Sequence, residues 1–67
     1  MVQGRVDWYS ATLCYGFILP NDGGARALVR QEDVLGEEPK SLKNGAGVTY
    51  EAVQGIEGVE AKNVRCV

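Results

Sequence analysis

Apolar and polar residues alternate along most of this chain, and the alternation breaks where turn-forming residues collect. Residues 2–9 carry β-branched and aromatic side chains interleaved with Arg5 and Asp7, which predicts a strand, and Ser10-Ala11-Thr12-Leu13 follows as a turn. Residues 15–19, YGFIL, predict a second strand. It is closed by Pro20-Asn21-Asp22-Gly23-Gly24, whose Asp-Gly and Gly-Gly pairs supply the positive φ angles of hairpin turns. Residues 25–30 predict a short third strand. Residues 31–47 read as a polar loop, where Gly36, Pro39, Asn44, Gly45 and Gly47 limit any helix to about one turn around Glu32-Asp33-Val34-Leu35. Residues 48–53 alternate again, with Val48, Tyr50 and Ala52 on one face and Thr49 and Glu51 on the other. Residues 54–58 turn the chain into a last strand over 59–67.

Five short strands and no substantial helix in 67 residues predict a single all-β domain, 1–67, folded as a small closed or nearly closed barrel without exposed strand edges. The period-2 rule then assigns faces. If Ile18, Val29, Val48, Tyr50 and Val64 fill the interior, Tyr15, Phe17, Leu28 and Arg30 lie outside. Aromatic side chains displayed to solvent on so small a protein mark a binding surface.

Composition narrows the chemistry. The net charge is −2, so any basic patch has to be local. The chain has no histidine and two cysteines, Cys14 and Cys66, which fit neither a disulfide framework nor a four-ligand zinc site. Both read as free structural thiols, a pairing imposed by the fold being the alternative. No metal, no cofactor and no catalytic constellation is expected, and Gly23-Gly24 follows turn logic rather than that of a phosphate loop. With no secretory signal and no apolar run of membrane-spanning length, the expected compartment is the cytoplasm.

Gly4-Arg5-Val6-Asp7-Trp8-Tyr9, Tyr15-Gly16-Phe17-Ile18, Asp22-Gly23-Gly24, Leu28-Val29-Arg30, and Gly58 with Ala61-Lys62-Asn63-Val64 resemble, in order and spacing, the cold-shock domain. The resemblance covers the whole chain. It implies a five-stranded antiparallel barrel of the OB type, and binding of single-stranded RNA or DNA by stacking bases on surface aromatics. It also implies service as an RNA chaperone or a regulator of transcription or translation. On this resemblance the nucleic-acid-binding residues are Arg5, Trp8, Tyr9, Tyr15, Phe17, Leu28, Arg30 and Lys62.

The chain also departs from that pattern. Leu28 and Arg30 stand where the family has Phe and His, and Asp7 and Leu13 stand where it has lysines. Cys14 replaces a glycine, and Glu57, Val59 and Glu60 replace a basic residue, a proline and a glutamine. Fewer cations near the ligand release fewer counterions, which implies weaker and less salt-dependent binding than in typical members. The acids keep a second reading open, in which the same rings anchor a protein partner. The plainer alternatives are that Trp8 and Phe17 cover a loop or a dimer contact, that Tyr9 packs into the core, and that Arg5, Arg30 and Lys62 are solvated surface charges. Glu32, Asp33, Glu37 and Glu38 read as a solvated acidic rim.

Overall fold

The computed structural model describes residues 1–35, 42–56 and 58–66, within which the alternating segments form β1 (Val2–Ser10), β2 (Tyr15–Pro20), β3 (Ala27–Arg30), β4 (Gly47–Gly55) and β5 (Gly58–Cys66). A single 3-10 turn, Gln31–Asp33, follows β3. The strands close into a barrel in the order β1-β2-β3-β5-β4. β1 is long enough to serve two neighbours, pairing with β4 through Val2 to Arg5 and with β2 through Gly4 to Ser10. Gly4 belongs to both ladders, and a Cβ there would stand 2.5 Å from the Leu19 carbonyl oxygen. Glycine is therefore required where backbone passes this close. The remaining ladders are antiparallel except the closing contact of β3 with β5, which is parallel through Leu28 and Glu60.

The interior is filled by Val6, Ile18, Val29, Val48, Tyr50 and Val64, none more than 1% exposed. Each such side chain contributes roughly 1.5–3 kcal/mol by leaving water. The inward face derived from alternation is thus observed at every position named for it except Ala52, which is exposed. β1 pairs with β4 only as far as Tyr50, so residues 51–55 continue as a two-stranded ribbon with β5, and no barrel wall covers their second face. Opposite this point β5 carries an extra residue, and Asn63 takes up the bulge at φ 53. Asparagine tolerates that left-handed backbone better than most residues.

The polar loop also needs correction. Val34 and Leu42 are buried, at 4% and 5% exposure, and belong to the core. Val34 bridges to Val64, and the Leu35 N–H donates to the Val64 carbonyl at 2.8 Å, so the segment after β3 closes that end of the barrel. Glu37 and Glu38 lie outside the described residues. β3 begins at Ala27 rather than at residue 25, because the preceding turn uses more chain than a tight hairpin. There the Gly24 N–H donates to Asp22 Oδ1 at 2.8 Å and the Gly23 N–H to the Pro20 carbonyl at 3.1 Å. Cys14 and Cys66 are both free, and both are exposed rather than packed.

Candidate nucleic-acid interface

Strict alternation along β1 would place Trp8 on the same side as Val6, inside the barrel. The register with β2 shows why it is not there. Val6 pairs with Ile18 and Trp8 with Phe17, so Asp7 is an extra residue, a β-bulge that turns Trp8 to the outer face. On β2 the outward positions are Tyr15 and Phe17, separated by Gly16. The three rings meet edge to face, with centroids 5.3 Å apart for Trp8 and Tyr15, 5.9 Å for Trp8 and Phe17, and 6.2 Å for Tyr15 and Phe17. Edge-to-face packing suits the ring quadrupoles. It also leaves the rings half-buried, with aromatic surface still facing water.

Gly16 lies between the rings and is itself buried. A Cβ there would sit 2.7 Å from Tyr9 Cα and 2.9 Å from Tyr9 Cδ1. Tyr9 therefore covers Gly16 and packs against the core, and burial raises its phenol above the ordinary value, helped by Cys14. Its backbone N–H donates to Asn44 Oδ1 at 3.1 Å. The structure thus brings Trp8, Tyr15 and Phe17 together and leaves Tyr9 underneath them.

The neighbouring strand extends the patch. Leu28 pairs with Phe17 and Arg30 with Tyr15, both on the outer face. Arg5 is exposed on β1, where it pairs with Leu19 and lies toward the far end of this face from Tyr15. One residue was missed by the sequence reading: the guanidinium of Arg26 lies over the Phe17 ring, 4.3 Å from its centroid. It shares the phase of Leu28 and Arg30, so carrying the alternation one step back from β3 would have found it.

Two of the cations on this face, Arg30 and Lys62, are paired. Arg30 Nη1 donates to Glu60 Oε1 at 2.6 Å. Lys62 Nζ donates to Asp33 Oδ2 at 3.2 Å and stands 3.5 Å from Glu60 Oε1. The Arg30 hydrogen bond holds the Glu60 carboxyl below the usual carboxylate range and the same contact raises Arg30 further above its already high value. Two cations and two carboxylates thus form one cluster without net charge. Asp7 is exposed at the bulge, and Glu57 lies outside the described residues. Glu60, read from sequence as loose negative charge near the ligand face, is instead bound to Arg30.

Two hollows flank the rings. One, about 490 Å³, lies toward the β4–β5 turn and includes Arg26, Leu28, Ile56 and Glu60. The other, about 670 Å³, lies toward the β1–β2 turn and includes Leu13, Cys14, Tyr15 and Glu32. Among the described residues no group of histidine, cysteine or acidic side chains is placed to hold a metal ion.

A family model described as the 'Cold-shock' DNA-binding domain matches residues 2–67. The chain is 41% identical over 64 residues to Cold shock protein CspB of Geobacillus stearothermophilus, covering 96% of each. It is 34% identical over 67 residues to Probable cold shock protein A of Mycolicibacterium smegmatis, with 100% of both covered. Cold shock protein 1 of Arabidopsis thaliana is 39% identical over 62 residues, and the chain spans 21% of that protein's length. A closed five-strand barrel, and a family match that runs from its first strand to its last, together establish that this chain belongs to the cold-shock domain family.

Proposed function

We propose that the chain binds single-stranded RNA or DNA, with unpaired bases stacking on the outer face of β1, β2 and β3. The observation that carries the reading is the convergence of Trp8, Tyr15 and Phe17, which come from two strands and require a bulge to meet. The family's description as DNA-binding supports it. Each ring that takes a base contributes roughly 1–3 kcal/mol. Leu28 adds apolar contact beside Phe17, Arg30 offers a cation beside Tyr15, and Arg5 and Lys62 lie at the margins for phosphates. Tyr9 supports the platform from beneath. Because Arg30 and Lys62 already face Glu60 and Asp33, few counterions are released on binding, and affinity is modest and weakly salt-dependent. A protein that holds strands by their bases keeps them unpaired, which suits an RNA chaperone or a regulator of transcription or translation. The reading needs no cofactor and no bond-making step.

Trp8 is the only tryptophan, so it reports on the platform directly. A short pyrimidine-rich oligonucleotide is expected to quench its emission; an unchanged spectrum at high micromolar oligonucleotide would refute the proposal.

A second reading, in which the rings anchor a protein partner, is favoured by one observation: the carboxylates of Glu60 and Asp33 neutralise the cations that phosphates would use. Retention of a protein partner by the chain, with no oligonucleotide bound, would put this reading first.

A further inference from the structure

We infer that the hollow between the start of β3 and the β4–β5 turn is a subsite selective for guanine; this rests on the stacking reading above and names the base it favours. Leu28, Ile56 and Val59 supply apolar surface, and Arg26 and Glu60 bring a donor and an acceptor to the same 490 Å³ space. Ile56 is fully exposed at the turn, at 103%, so a flat aromatic ligand seated there would cover surface that the fold leaves wet.

The polar groups are specific about which base fits. The guanidinium carbon of Arg26 lies 4.3 Å from the Phe17 ring centroid, a cation–π contact that holds the side chain beside the hollow. Among the described residues it makes no hydrogen bond or ion pair. A planar fork held this way matches two adjacent acceptors, the O6 and N7 of guanine. Glu60 accepts from Arg30 at Oε1, with Lys62 Nζ 3.5 Å from the same oxygen, while Oε2 lies against Gly55, where no side chain stands. A carboxylate matches adjacent donors, and the N1–H and N2 amino group of guanine are such a pair. Adenine puts an amino group where O6 stands, and cytosine and thymine lack one of the two edges. The placement agrees: Glu60 pairs with Leu28, and Arg26 stands two residues before Leu28, just ahead of β3, so both border the same hollow.

The test measures affinity for a short all-thymidine strand and for the same strand carrying one guanine or one hypoxanthine, together with the uridine counterparts and free guanosine monophosphate. The guanine strand is expected to bind on the order of tenfold tighter than the thymidine strand, as one bidentate contact allows. Hypoxanthine, which lacks only the N2 amino group, should lose most of that gain in the parent and none in Glu60→Gln, where the donor edge is no longer read. Arg26→Lys, which keeps the charge and loses the fork, should narrow the guanine preference while keeping the difference between guanine and hypoxanthine that Glu60 reads. Equal affinity for thymidine and guanine strands with Trp8 quenching intact would overturn the subsite and leave the stacking reading standing. Binding of guanosine monophosphate without any strand would keep the subsite and overturn the stacking reading. No binding by any of these would overturn both.

Discussion

Arg30 Nη1 and Glu60 Oε1 lie 2.6 Å apart across the seam where β3 meets β5, so a cation on the proposed ligand face is held by a carboxylate of the same chain. Replacing Glu60 by Gln should free Arg30 for phosphate. Affinity for an all-thymidine strand should rise, and the log–log salt slope should steepen by about 0.7 for each phosphate newly neutralised on a single strand. Titration at several salt concentrations checks this; an unchanged slope would mean that Arg30 does not reach the backbone.

The same pair predicts an acid-side effect. The Glu60 carboxyl is lowered from its ordinary value of 4.5, first by the Arg30 hydrogen bond. A lowered folded value means that the stabilisation is present above the unfolded value and is lost as pH falls through the folded one. The parent should lose stability below the ordinary carboxylate range more steeply than Glu60→Gln does. Parallel acid unfolding curves would contradict this.

Ring and core positions on β2 should separate cleanly. Phe17→Ala should weaken oligonucleotide binding by about 1–3 kcal/mol while leaving the fold intact. Ile18→Ala should cost about 2–5 kcal/mol of stability, since Ile18 is 0% exposed, and a domain this small has little to spare. Denaturant midpoints and fluorescence titrations of both variants decide it. The reverse order would place the ligand face one residue out of phase.

Cys14 should be replaceable to advantage. It closes the β1–β2 turn at φ 63, with its N–H donating to the Ser10 carbonyl at 2.8 Å. A side chain in that left-handed conformation costs about 1–2 kcal/mol, and the greater freedom of glycine in the unfolded chain offsets about half of the relief. Cys14→Gly is therefore expected to stabilise by about 0.5–1 kcal/mol. A lower denaturant midpoint would show that the thiol packs usefully.

Alkali should unfold the barrel through its tyrosines. Tyr50 is 1% exposed, and burial, assisted by Asp22, raises its phenol above the ordinary 10.0; Tyr9 is raised in the same direction. A raised folded value leaves stability intact below the unfolded value and removes it as pH climbs through the folded one. Tyr50→Phe should flatten the loss above pH 10, and an equally steep loss in that variant would move the cause elsewhere.

Much of this protein is decided locally. The alternation of apolar and polar residues specifies the strands and the inward set Ile18, Val29, Val48, Tyr50 and Val64, because a barrel this small has one interior and period 2 leaves few ways to fill it. The Asp22-Gly23-Gly24 turn and the outward phase of Tyr15, Phe17, Leu28 and Arg30 follow from the same rules. Other features depend on which strands become neighbours. The bulge at Asp7 that delivers Trp8 to Phe17 exists only in the β1–β2 register, and a period-2 reading of β1 alone puts the indole inside. Val34 and Leu42 are buried because their segment closes the barrel end, although their local sequence is polar and rich in turn residues. Ala52 is exposed because β1 stops pairing at Tyr50. The pairing of Arg30 with Glu60 joins residues 30 positions apart, and only the parallel closure of β3 on β5 sets them side by side. Local sequence governs which way a side chain points where the ladder runs without a bulge; where a register shift intervenes, as at Asp7, and which partner a side chain finds are properties of the closed sheet.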